Sequence, residues 1–147
     1  MNIEKAVQTL SKTDNKNLYA KLGAYATQFP RNPASFAAPD AAITLDEGVA
    51  GPLDDAVELG KRIVKRWNRV LFDLCCGGDS VDPEAKKTIL TALNLKSTDA
   101  IAASITGILI GTFSVAPAVA VVVGVIVGKA LLPAAEEEVC QFWKERL

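Results

Sequence analysis

The sequence contains no histidine. That excludes every reaction built on imidazole: Ser-His-Asp and Cys-His nucleophile pairs, H-E-x-x-H zinc hydrolases and the zinc deaminases. Neither sign of charge is in excess, with 16 basic side chains against 17 acidic and a net charge of −1. No global field draws in nucleic acid, so nucleic acid is not an expected partner. Residues 1–99 hold 13 groups of each sign and residues 100–147 hold 3 basic and 4 acidic. The two parts differ in charge density, not in sign.

Cysteine is scarce, at positions 75, 76 and 140. An odd number with two adjacent members argues against a disulfide framework. Free thiols in turn suit a reducing cytoplasm. A zinc site at Cys75-Cys76 would need Cys140 plus a carboxylate or a second chain. Two ordinary thiols at a helix end, one inward and one outward, are expected instead. Met1–Leu10 carries Glu4 and Lys5 and no apolar core, so no cleavable secretory signal is expected. No calcium loop, dinucleotide fingerprint or nucleophile elbow occurs. The segment GVIVGKA at 124–130 is one residue short of a phosphate-binding loop and has Ala130 where Ser or Thr is required. No catalytic residue, cofactor site or metal site is assigned, and the chain is expected to be non-enzymatic.

The length of 147 residues fits one domain. A chain this size buries roughly 68–70% of its unfolded surface and needs no staple. Half of its residues are hydrophobic. The periodicity predicts an all-α bundle of about five to six helices. Ile3, Val7 and Leu10 make a short apolar stripe. Asp14 or Asn15 caps a second helix carrying Leu18, Leu22, Tyr25 and Phe29, which Pro30 ends. Residues 30–52 hold four prolines and read as a loop packed by Phe36 and Ile43. Pro52 opens the clearest amphipathic helix, with Leu53, Val57, Gly60, Val64, Trp67, Leu71 and Leu74 on one stripe. Gly77 and Gly78 stop it. Asp82 and Pro83 start another helix, edged by Ala85, Ile89 and Leu93, and Ser97, Thr98 and Asp99 offer the next cap.

Charge then vanishes. From Ala100 to Gly128, 29 residues carry none, enough for a bilayer span of ~20 residues. Pro117 divides the run. It implies a single kinked span or a helical hairpin over about 100–132, each arm reaching ~20–24 Å at ~1.5 Å per residue. The β-branched stretch Val119–Val127 keeps a buried strand as a third reading. Gly107 and Gly111, and Gly124 and Gly128, place two glycines on one face of each arm. That pattern favours close helix contact or oligomerisation. The tail, 133–147, is expected as an amphipathic helix with Trp143 in the core, a headgroup-depth anchor being the alternative. The organisation is therefore an amphipathic region at 1–99, a hydrophobic segment at 100–132 and a helix at 133–147.

The stretch 61–69 places Lys61, Arg62, Lys65, Arg66 and Arg69 within nine residues. Arg62, Arg66 and Arg69 share a flank suited to phosphates or anionic lipid. A solvated face paired with Asp54, Asp55 and Glu58 is the simpler reading, Glu58 to Arg62 being the favourable spacing. Two functions are expected. In one, a cytoplasmic, membrane-associating protein perturbs or perforates membranes through oligomers of its hydrophobic segment. In the other, an all-α interaction module or homo-oligomer buries that segment as its core. Its partners would accordingly be membrane lipid, its own copies or another protein.

Overall fold

The computed structural model describes residues 3–28, 53–77, 82–134 and 138–146. These form seven helices and no strand: α1 Ile3–Ser11, α2 Asn15–Gln28, α3 Leu53–Cys76, α4 Pro83–Asn94, α5 Thr98–Phe113, α6 Pro117–Leu131 and α7 Val139–Lys144. The proline-rich segment 30–52, and with it Phe36 and Ile43, lies outside the described residues, as do Phe29 and Gly78.

Local chemistry sets the helix starts. The Asp14 carboxylate accepts from the Asn17 amide at 2.9 Å and caps α2. Asp82 accepts from Glu84 and Ala85 at 3.0 and 3.3 Å, with Pro83 in the first turn of α4. Ser97 Oγ accepts from the Ala100 amide and caps α5. α5 ends at Ser114, whose φ of 54° is left-handed. The amides of Ser114 and Val115 donate back to the Ile110 and Leu109 carbonyls, satisfying backbone that the helix end would leave open.

Ser114–Ala116 turn the chain, and Pro117 begins α6. Proline here does not kink a continuous span; its missing N–H costs nothing in a first helical turn. The valine-rich stretch is helix, so the strand reading falls. A 15-residue element with an internal hydrogen-bond ladder is too long for the strand that β-branched composition alone would favour.

Every side chain from Ala118 to Val127 is buried. α6 is apolar around its circumference because α1, α2, α3, α5 and α7 all pack against it. Each fully buried Val or Ile contributes about 1.5–3 kcal/mol, which is where the positive mean hydropathy of the chain is used. One buried cluster runs from Ala6 on α1 to Trp143 on α7. Among the described residues, no helix is long and apolar enough to cross a membrane.

α5 and α6 run antiparallel, with Ala102 opposite Gly128 and Thr106 opposite Gly124. A Cβ on Gly124 would run into Thr106 Oγ1 and lie 2.7 Å from the Ala102 carbonyl oxygen. Thr106 is fully buried, and its hydroxyl donates to Ala102 O at 2.7 Å. Gly107 and Gly111, by contrast, are exposed, and a Cβ added to either would meet nothing within 4 Å. Among the described residues, the expected glycine pair on the first arm therefore makes no close helix contact. The same intimacy recurs between α2 and α3, where a Cβ on Gly60 would strike the Tyr19 backbone and one on Gly23 the Ala56 backbone.

The tail differs from the single helix expected over 133–147. α7 is six residues long. Two side chains anchor it, Val139 and Trp143, the latter 1% exposed. Trp143 is a core residue, which corrects its alternative as a membrane-interface anchor: its ring meets Phe72 edge-on at 5.9 Å, inside the bundle. Cys76 and Cys140 are joined by a disulfide, their Cα atoms 5.6 Å apart. The expectation of unpaired thiols is overturned. The bond links the end of α3 to α7, and only the fold brings residues 64 apart together. The thiol-based argument for a reducing compartment falls with it.

Candidate anion-binding cleft

Positions 61, 64, 65, 68 and 69 lie three and four apart and therefore share one face of α3. That face looks toward Tyr19 on α2 and Arg146 just past α7. Together Tyr19, Lys61, Val64, Lys65, Asn68, Arg69 and Arg146 line a half-open cleft of about 300 Å³. A shallower depression of about 420 Å³ adjoins it, lined by Lys16, Tyr19, Val57, Glu58 and Lys61. Among the described residues, four cations border the deeper cleft and no carboxylate does.

The expected basic cluster is thus divided. Lys61, Lys65 and Arg69 line the cleft, while Arg62 and Arg66 do not and are exposed. Of the flank of Arg62, Arg66 and Arg69, Arg69 alone lines this cleft, because α2 and α7 pack on the adjacent side of α3. The Glu58 carboxylate pairs with Lys61 at 3.7 Å rather than with Arg62. Both partners are more than half exposed, at 65% and 54%. Such a pair contributes little, so Lys61 can turn toward a bound anion at small cost. The side chains of Asp54 and Asp55 lie outside the described residues.

The uncharged lining residues are also donors. Burial raises the pKa of the Tyr19 phenol above its usual 10.0, so near neutral pH it keeps its proton to donate. Asn68 Oδ1 accepts from the indole N–H of Trp143 at 2.5 Å. That engages the acceptor end of the amide and leaves its NH₂ as the donor end. Arg146 is held by its own helix: its guanidinium lies 3.4 Å from the Phe142 ring centroid and donates to the Phe142 carbonyl at 3.2 Å. α7 itself is fixed by Trp143 and the Cys76–Cys140 disulfide.

The arrangement offers positive charge, directed N–H and O–H donors and one apolar wall at Val64. This is the chemistry of anion recognition. Tyr19, Asn68 and Arg146 carry no signal in the sequence; Arg146 is 77 positions from Arg69 and reaches the cleft only because α7 docks on α3.

The other sequence candidates take different places. Cys75 is buried, and its thiol pKa is pushed up to about 11, first by burial and then by the Asp82 carboxylate, with Lys86 opposing. It stays protonated near neutral pH and is a poor nucleophile. Among the described residues, no three Cys, Asp or Glu side chains converge as a metal site. Gly107 lines a shallow groove between α4 and α5 with Ser104, Ile108 and Thr112. Lys129, the one charge on α6, donates to the Thr13 carbonyl at 2.6 Å. Its pKa is lowered by burial, with Asp14 opposing. No known protein family, curated protein or solved structure matches the chain.

Proposed function

We propose that the protein is a non-catalytic helical binding module that recognises a phosphate-bearing ligand in the cleft between α2, α3 and α7. One observation carries this reading. Lys61, Lys65, Arg69 and Arg146, drawn from two elements, converge on one concavity with Tyr19 and Asn68, and no carboxylate lines it among the described residues. Its volume of about 300 Å³ is at the small end of ligand sites, which span roughly 300–1,000 Å³. The hydrophobic pair α5–α6 then serves as the core that holds the cleft's walls in place.

The membrane-perturbing alternative requires α5 and α6 to leave that core. Their 16 and 15 residues reach ~22–24 Å at ~1.5 Å per residue, short of the ~30 Å hydrocarbon layer. It is therefore the weaker reading.

Calorimetric titration with inorganic pyrophosphate, run beside flotation with phosphatidylcholine vesicles with and without phosphatidylserine, tests the proposal. Binding of free pyrophosphate that drops sharply in a Lys65→Gln/Arg69→Gln variant supports a soluble phosphate ligand. Binding only to phosphatidylserine vesicles, lost in the same variant, assigns the cleft to lipid headgroups. No binding in either arm, or binding indifferent to the variant, overturns the proposal. Release of a trapped dye from the vesicles would revive the membrane-perturbing alternative.

A further inference from the structure

We infer that the Cys76–Cys140 disulfide is a redox control on the cleft, oxidised protein holding the anion tightly and reduced protein weakly. The inference rests on the proposed anion-binding function and adds its regulation.

Two of the cleft's donors depend on α7. Arg146 lies two residues beyond the helix end and reaches the cleft only while α7 is docked. The Asn68 amide is oriented by the Trp143 indole, which α7 also carries. α7 has six residues, far fewer than the ~12–15 an isolated helix needs to be even marginal in water. Its order comes from attachment: Val139 and Trp143 buried beneath it, and the covalent link from Cys140 to the end of α3. Cys76 and Cys140 are each partly exposed, whereas Cys75 beside them is buried. The sulfur pair that ties down α7 is thus also the pair that an external thiol meets.

The step balances with a dithiol as reductant. One of its thiolates attacks a sulfur of the Cys76–Cys140 bond and forms a mixed disulfide, and its second thiol then displaces that sulfur. The protein S–S bond breaks and two electrons pass to it. Cys76 and Cys140 each take a proton, and the reductant leaves as a cyclic disulfide. Without the link, α7 keeps its apolar anchors and the Trp143–Asn68 hydrogen bond but no covalent tie. Its local opening becomes easier, and each opening withdraws Arg146 and the set of the Asn68 amide together.

The test is titration of the whole chain with inorganic pyrophosphate in three states: oxidised, dithiol-reduced and Cys140→Ser. Thiol counts confirm the redox state, and circular dichroism confirms the fold. Reduction and Cys140→Ser should each weaken binding about tenfold, the scale of one charge-assisted hydrogen bond lost. Equal affinity in oxidised and reduced protein overturns the inference and leaves the binding function standing. Absence of binding in the oxidised protein overturns the binding function itself. Should reduction unfold the chain, Arg146→Gln in the oxidised protein decides: it removes the cation without touching the link. Affinity equal to that of the unaltered protein overturns the inference; a loss near tenfold supports it.

Discussion

The Trp143 indole N–H donates to Asn68 Oδ1 at 2.5 Å, joining a fully buried aromatic to a residue that lines the basic cleft. Core and candidate site therefore share a hydrogen bond. The indole fills space against Phe72, and its one polar atom is spent on setting the Asn68 amide. A buried Trp needs such a partner, and here the partner is itself on the wall of the cleft.

The two roles of the indole separate by mutation. Trp143→Ala should cost about 3–5 kcal/mol, as for a large aromatic emptied from a core. Trp143→Phe keeps most of the packing and removes the donor of Asn68 Oδ1, which water in the half-open cleft can replace, so the cost is about 0.5–1.5 kcal/mol. Urea unfolding monitored by circular dichroism measures both. A Trp143→Ala loss no larger than that of Trp143→Phe would mean that the ring's burial contributes little.

The Cys75 thiol gives stability a specific pH dependence. Its pKa is raised from 9.0 to about 11 in the folded chain, chiefly by burial. Between those values the unfolded chain has lost the proton that the native chain keeps. The unfolded state then binds fewer protons, and stability falls as pH rises. The contribution is fully present below pH 9.0 and is lost on the way to about 11. The raised Tyr19 phenol adds a decline of the same sign at alkaline pH. Cys75→Ala should flatten the curve in this window without removing the Tyr19 part. Denaturant midpoints across the range, for both proteins, measure the difference; superimposable slopes would refute the assignment to Cys75.

What can be read from the chain alone follows the range of the interaction. Asp14, Asp82 with Pro83, and Ser97 act within one turn of their own chain, so their caps are legible, as is the stripe from Val57 to Leu71. The glycine pairs are legible only in part. Spacing of four says that Gly107 and Gly111 share a face, and likewise Gly124 and Gly128, but not which face meets a neighbour. Of these two pairs, the second does. The basic stretch at 61–69 is visible, yet its division between cleft and open solvent depends on where α2 and α7 dock. The Cys76–Cys140 link and the arrival of Arg146 lie beyond sequence because both are contacts between remote segments. Adjacent Cys75 and Cys76 look alike as letters; the ~100° step between neighbouring helix positions sends the first into the core and the second to a partner 64 residues away.

Reducing that link should also register in global stability. Closing a loop over a separation of 64 residues restricts the unfolded chain by about 4 kcal/mol in the chain-entropy account. Thermal unfolding of the oxidised protein, the dithiol-reduced protein and Cys140→Ser measures it. The two uncrosslinked forms should melt together and well below the oxidised one. Coincident melting of all three would mean that the link does not form in solution.

The glycines supply the sharpest test of how the apolar helices pack. Gly124 has the Thr106 hydroxyl and the Ala102 carbonyl where a Cβ would go. Alanine there forces α5 and α6 apart along a buried seam, an overpacking cost of about 1–3 kcal/mol. It also disturbs the hydroxyl that donates to Ala102 O. Gly107 carries the same residue type on the same apolar pair, with open space around the added carbon. Alanine at an exposed mid-helix position instead restricts the unfolded chain and improves helix propensity, stabilising by about 0.4–1 kcal/mol. The two substitutions should therefore change stability in opposite directions, read as urea midpoints of the single variants. Destabilisation by Gly107→Ala would place a further contact on the outer face of α5. If that loss also grew with protein concentration, the contact would be a second copy of the chain, as the small-residue spacing on that face allows.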